Sequence, residues 1–220
     1  MTTDNKTGIW WRYTLLLAVL IFAGPAAHFT NQALRGHPLD PNYFWTKWSP
    51  LGLFGGGLYN GNGGANWKIG EAKANILNAE QQRTLPELQN FALQLVNRDR
   101  NINKLKSITV DPILNDAAQR HAEDMLARRY FNHVSPEGKT PRDRFLDAGG
   151  SSSVGVGENI AYQGTQGLGF TYGIAEELQR GWMYSNGHRE NLLTPEYKKF
   201  GYGIAVSPNG RVFAVQMFSN

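Results

Sequence analysis

Residues 182–193, WMYSNGHRENLL, place a histidine, an arginine and an asparagine within four positions at the foot of an amphipathic stretch. His188, Arg189 and Asn191 follow Gly187, which can end a helix in the left-handed conformation because it carries no Cβ. An imidazole held at a helix end is usable chemistry; an imidazole that caps helix carbonyls or fills a polar seam is the alternative. Upstream, Ile174, Ala175, Leu178, Trp182 and Ser185 fall on one side of a helical wheel, which predicts a helix over 172–185. Downstream, 201–206 and 212–218 read as two strands joined through Ser207-Pro208-Asn209-Gly210, which supplies hairpin turn chemistry.

Three earlier blocks add to this one. In Gly157-Glu158-Asn159-Ile160-Ala161-Tyr162, an acidic residue behind a glycine at the start of a strand pattern places a carboxylate at a strand end, facing a cleft. Taken alone, Glu158 could equally be a salt-bridge partner. The preceding GGSSSVGVG lacks the basic residue of a phosphate loop, so that reading is rejected. Further back lies RRYFNHVSPEGKTPRDRF, residues 128–145. There Tyr130 and Phe131 are expected to anchor a turn in the core, and His133 sits on the loop, where exposed side chains tend to be functional. Ser135, two residues on, is expected to make a turn hydrogen bond rather than act as a nucleophile. Arg142 and Arg144 are expected to pair with carboxylates. Two helices precede the loop. Pro86 opens the first, which buries Leu88, Phe91, Ala92, Leu95 and Val96 and runs to about Arg100. Asp111 caps the second, whose stripe runs from Ile113 through Ala117, Ala118 and Ala122 to Met125 and Leu126. His121 lies on that stripe and reads as a satisfied interior histidine.

The 220 residues suffice for one ordinary domain, read as 86–220, and an extension. Three long helices and about three strands, the last two adjacent, imply an α+β sandwich around an antiparallel sheet. Cysteine is absent, which rules out a disulfide framework, a zinc ribbon and a thiol nucleophile. The net charge of +4 divides unevenly: residues 1–85 hold 7 basic and 4 acidic groups, residues 86–220 hold 15 and 14. A nearly neutral domain argues against a nucleic-acid partner, which would call for a clustered basic face.

The extension itself divides in two. In residues 1–27, Lys6 and Arg12 precede the apolar run YTLLLAVLIF and then small residues through Ala27, the layout of a signal peptide. No charge appears between Tyr13 and Leu34, a span near the roughly 20 residues that cross a bilayer, so an uncleaved membrane anchor is the alternative. Either way the remainder is expected outside the cytoplasm. Residues 28–85 form a linker rich in Gly, Asn and aromatic residues, expected to be disordered or loosely packed. Its aromatic residues could lie at a membrane interface, grip glycan or pack on the domain, and residues 71–83 could form a short polar helix.

Together AAQRHAEDM, FNHVSPEGKTPRDRF, GENIAY, WMYSNGHRENLLTPEYKKFGYGIAV and FAVQMFS, in this order, make the chain from about Leu88 to Phe218 resemble the CAP superfamily. That superfamily takes its name from cysteine-rich secretory proteins, antigen 5 and pathogenesis-related proteins; the likeness is to its cysteine-free bacterial branch, the SCP-like proteins. The resemblance implies an α-β-α sandwich with a central cleft, in which His133, Glu158 and His188 match the family's cleft residues. A second glutamate common in the family is matched here by Asn186, which cannot serve as a charged base. In some relatives the two histidines hold a divalent metal, commonly zinc, so His133 and His188 are the candidate ligands of Zn2+ or another divalent ion. Three uses of the set remain open. It can bind a metal with a vacant position for water. It can be catalytic, with His133, Glu158 and His188 hydrolysing an ester or amide bond. Or it can orient a lipid, glycan or peptide in a binding cleft. The binding module ranks first because the second acid is missing.

Overall fold

A computed structural model of the chain describes residues 66–74, 79–165 and 170–220. The expected signal peptide or anchor and most of the expected linker lie outside the described residues.

Helix α1 (Leu85–Ile102) starts where the sequence supplies a complete cap. The Thr84 hydroxyl accepts from the Glu87 amide, the Glu87 carboxylate accepts from the Thr84 amide at 2.8 Å, and Pro86 occupies the first turn, where no donor is required. The predicted stripe of Leu88, Phe91, Ala92, Leu95 and Val96 is buried. A two-residue strand β1 (Thr109–Val110) leads to α2 (Pro112–Arg128), capped by Asp111, whose carboxylate accepts from the Ile113 amide at 2.8 Å. Helix α2 closes on Arg129 in the left-handed region at φ 58°. The short α3 (Pro141–Asp147) carries its own capping box, Thr140 with Asp143. Then come β2 (Val156–Gly164), α4 (Tyr172–Tyr184), α5 (Asn186–Leu193), β3 (Lys199–Val206) and β4 (Arg211–Ser219).

The strands lie in the order β1-β3-β4-β2. β2, β4 and β3 are antiparallel, as the 207–210 turn predicts; Gly210 at its end takes φ 77°. β1, hidden in what the sequence shows as a loop, adds to β3 in parallel. One face of the sheet packs Ile160, Phe213, Val215 and Met217 against Leu114, Ala118, Ala122 and Met125 of α2 and Phe145 of α3. The other packs Tyr202, Ile204, Ala214 and Phe218 against Leu88, Leu95, Leu178, Trp182 and Leu192 of α1, α4 and α5. The α-β-α sandwich is therefore as expected, with each fully buried leucine or isoleucine contributing about 1.5–3 kcal/mol. On β3, Gly201 and Gly203 let α2 lie directly on the sheet: a Cβ at Gly203 would come 2.3 Å from the Ala118 carbonyl carbon.

Three local expectations are corrected. Gly187 does not end a helix: α4 stops at Tyr184, Ser185 is extended, and Gly187 lies inside α5. The guanidinium of Arg189 donates to the Met183 carbonyl at 2.9 Å, so this end of α4 is capped by a side chain and needs no left-handed residue. Phe131 does not enter the core. The chain turns outward after Arg129 and leaves Phe131 49% exposed, resting on Tyr162 and Phe213. The described part of 71–83 is not helical, because its amides are spent elsewhere: Lys73 donates to the Glu176 carboxylate at 2.9 Å and Arg83 to the Phe170 carbonyl at 2.7 Å.

Residues 66–74 are laid along α1 and α4. Ile69 is fully buried among the residues of those helices, and the amide of Gly70 donates to Asp99 at 2.8 Å. Trp67 meets the Tyr184 ring edge-on and carries the Arg189 guanidinium 4.2 Å above its own ring.

Candidate functional site

Glu158, the third residue of β2, has a side chain only 1% exposed, and three elements converge on it. The His133 ring donates from Nδ1 to Oε1 at 2.8 Å. The Arg144 guanidinium of α3 donates from Nη2 to Oε2 at 2.7 Å. His121 of α2 brings Nε2 within 3.9 Å of Oε1. A buried carboxylate is stable only with such partners, since an unpaired buried charge costs several kcal/mol.

The loop that carries His133 is built to hold it. Asn132 accepts the Val134 amide on its own side chain at 3.0 Å, and Gly138 turns the chain at φ 87°. Arg144 also donates to the carbonyls of His133 at 2.8 Å and Lys139 at 3.0 Å, so one guanidinium ties both ends of the loop to the carboxylate it serves. The Ser135 hydroxyl donates to Glu137 at 3.0 Å and accepts the Lys139 amide at 3.2 Å, the turn role expected of it. Arg128 holds Glu137 by a hydrogen bond that brings its pKa down to about 2. Arg142, expected to pair with a carboxylate, instead donates to the carbonyls of Val154 and Ser152.

His121 is the interior histidine the sequence predicts, 1% exposed, with Nε2 donating to the Asn132 carbonyl at 3.1 Å. Burial brings its pKa down from 6.5 to about 4; Glu158 opposes that shift and Arg144 adds to it. The ring is therefore neutral near pH 7. In the unfolded chain it takes up a proton at higher pH than in the folded one, so its contribution to stability is complete above pH 6.5 and lost as pH falls towards about 4. The expected loss is about 2–3 kcal/mol. Urea unfolding between pH 7 and 4 should show it in the wild type and a flatter dependence in His121→Gln; parallel curves would contradict this assignment.

His188 stands in the first turn of α5, half-buried, and its carbonyl accepts from the Asn159 side chain at 3.1 Å. Asn191, one turn on, donates to the Glu158 carbonyl at 3.0 Å, and the Trp182 indole donates to the Ile160 carbonyl at 3.2 Å. The structure thus joins His133 to Glu158 by direct contact and ties the backbone of His188 to the residue next to Glu158. Among the described residues no three His, Cys, Asp or Glu side chains form a group that could hold a metal ion. Asn186, in the place of the second glutamate, is exposed and accepts from Arg189 at 2.6 Å. Arg144 pairs with a carboxylate as expected, though the sequence does not say which; His121 as a neighbour of Glu158 was missed, and no local signal marks it.

A profile of the CAP, or cysteine-rich secretory protein, family matches residues 93–218, which include all of these positions. The chain belongs to the CAP family. Two curated relatives come from Bacillus subtilis (strain 168). The uncharacterized protein YkwD is 34% identical over 115 residues, 52% of this chain and 41% of that protein. The uncharacterized membrane protein YlbC is 34% identical over 112 residues, 51% of this chain and 30% of that protein. The chain thus spans less than half the length of either relative. Among solved structures, an outer surface protein from Borrelia burgdorferi superposes with a TM-score of 0.54 at 18% identity, covering 64% of this chain and 98% of that one. At that identity the likeness is one of fold, and it agrees with the sandwich described above. The His133–Glu158–Arg144 cluster belongs to the face covered by α2 and α3, and His188 belongs to α5, which packs with α1 and α4 on the other face.

Proposed function

We propose that this CAP domain is an extracytoplasmic binding module whose cleft, lined by His133 and His188, takes a small ligand (lipid, glycan or peptide) together with a divalent metal ion. One observation carries the reading: a fully buried carboxylate, held by a buried guanidinium, orients an imidazole whose side chain is 47% exposed. With Nδ1 engaged, His133 keeps Nε2 for an outside partner, and a carboxylate behind a histidine is the usual support of a metal-binding imidazole.

The residues fit a metal only in a limited form. The Glu158 side chain is 1% exposed and turned to His133 and Arg144, so His133 Nε2 and the His188 ring would hold the ion, with ligand or water completing it; a closed zinc site needs four protein donors. Such an ion would supply positive charge for a carboxylate or phosphate oxygen of the ligand. The protein's own contribution is to fix the ring, keep Nδ1 protonated and shield the carboxylate from water.

A hydrolase in which Glu158 takes the proton draws no support from this geometry, because its side chain is 1% exposed and out of reach of a molecule in the cleft. Placement outside the cytoplasm is supported by the Lys6–Arg12 flank with its apolar run and by the likeness to a membrane protein in half of the chain. No helix among the described residues is long and apolar enough to cross a membrane, and the apolar run lies outside them.

Calorimetric titration of the chain with zinc, repeated on His133→Ala/His188→Ala, tests the reading. Saturable heat in the wild type and its loss in the double variant are expected. Equal heats would overturn the assignment of the two histidines.

A further inference from the structure

The layer formed by α1, α4 and α5 buries several polar side chains, Arg100, Glu176 and Arg180 among them, and one continuous line of carboxylate and amides crosses it. Asp99 of α1 is fully buried, and its Oδ2 accepts from Gln179 of α4 at 2.8 Å. Gln179 in turn accepts from Gln216 of β4 at 2.8 Å. Gln216 accepts from Asn159 of β2 at 3.2 Å, and Asn159 accepts from Asn191 of α5 at 2.9 Å. Gln179 and Gln216 are each 1% exposed and Asn159 is 0% exposed. Every amide therefore donates in one direction, towards the carboxylate.

That direction is forced at both ends. An ionised carboxylate can only accept, so Gln179 must present its NH2 group to Asp99 and its oxygen to Gln216, and the same logic passes to Asn159. At the far end the acceptors are backbone carbonyls: Asn159 also donates to His188 and Asn191 also donates to Glu158. No amide in the line can flip without placing two donors or two acceptors face to face, and bonds aligned head to tail reinforce one another. Asp99 is itself fixed by the Arg98 guanidinium through two bonds of 2.9 Å and by the Gly70 amide.

Arg100 holds the far end of α5 through the Leu192 and Thr194 carbonyls, both at 2.9 Å; we infer that the amide line sets the near end, and with it His188, at its distance from Glu158. Asn159, Asn191, Gln216 and Gln179 are positioning residues, and residues 66–74, by holding Asp99, complete the arrangement. As a claim about the ligand-binding cleft the inference rests on the function proposed above; as a claim about the placement of α5 it stands alone. A purely apolar layer would have packed the same helices without buried amides, each of which costs about 1–3 kcal/mol if its partner is removed. What the line adds is a fixed register between the strand bearing Glu158 and the helix bearing His188.

The test uses the full chain carrying Gln216→Met or Gln179→Met, each cutting two adjacent bonds of the line, with Met125→Ala as a control of comparable instability in the opposite layer. Two quantities are read: hydrogen exchange of the amides of Asn186–Leu193 and zinc affinity by calorimetry. Both Gln variants are expected to speed exchange in α5 about tenfold relative to α2 and to weaken zinc binding about tenfold or more, while Met125→Ala leaves α5 as protected as in the wild type. Unchanged α5 exchange in the Gln variants, or equal loosening by Met125→Ala, overturns the inference. Loosened exchange with undiminished zinc affinity overturns its link to the cleft. If the wild type takes up no zinc, the proposed metal site fails and the exchange rates alone decide the role of the line. Should Gln216→Met not fold, Gln179→Met, one link further from α5, gives the same readings.

Discussion

Replacing Glu158 by alanine is expected to lower folding stability by about 3–5 kcal/mol, the usual cost of removing one member of a buried ion pair. The loss comes less from the vanished attraction than from what remains. Arg144, with a side chain 10% exposed, would keep its charge without its anion, and its Nε already has no hydrogen-bond partner among the described residues. His133 would lose the acceptor that fixes its ring. Two comparisons separate these effects. Glu158→Gln keeps one acceptor oxygen and is expected to cost less than the alanine variant. Glu158→Ala/Arg144→Leu removes the stranded charge and is expected to recover part of the loss, because a buried pair replaced by apolar groups is often close to neutral. Urea unfolding at neutral pH measures all three. A loss below about 1 kcal/mol in Glu158→Ala, the range of an exposed pair, would contradict the burial on which the site depends.

The sequence announces the parts of this arrangement that depend on neighbours along the chain. Asp111-Pro112 and Thr84 with Glu87 mark helix starts because capping is a contact over two or three residues. The turn ending at Gly210 is legible for the same reason. What the sequence hides is the pairing over distance. His133 and Arg144 reach Glu158 from 25 and 14 residues away, and neither the histidine loop nor α3 names its target. Gln179 and Gln216 sit in stretches that read as helix and strand, and neither stretch names the other; that the two side chains bond follows only from α4 and β4 meeting in three dimensions. Gly187 misled because a glycine after an amphipathic stretch is normally a stop. Here Arg189 had taken over that task, and the glycine became part of the next helix.

The second large effect is expected at Gly203. A valine there would drive its Cβ to within 2.3 Å of the Ala118 carbonyl carbon and the Gln119 amide nitrogen, both backbone atoms of α2, which cannot swing aside as a side chain can. Relief requires α2 to lift from β3, withdrawing Leu114, Ala118 and Ala122 from the core, so the expected cost is about 3 kcal/mol or more, the upper end of overpacking. Gly187→Ala is the matched control: nothing among the described residues lies within 4 Å of the added carbon, and the site is helical. There the change is expected to be neutral or to stabilise by about 0.5–1 kcal/mol, because alanine gives up less backbone freedom than glycine. Melting temperatures of the two variants should move in opposite directions or differ widely. A mild Gly203→Val would mean that α2 and β3 are less closely seated than described.

β2 ends the sheet, and such a border strand normally offers its carbonyls to any strand that comes alongside. Two of those groups, on Glu158 and Ile160, are already taken by the Asn191 amide and the Trp182 indole. Molecules crowded side by side would therefore find this border closed to sheet extension over its middle stretch. The side chains that brace the cleft also help keep neighbouring copies apart.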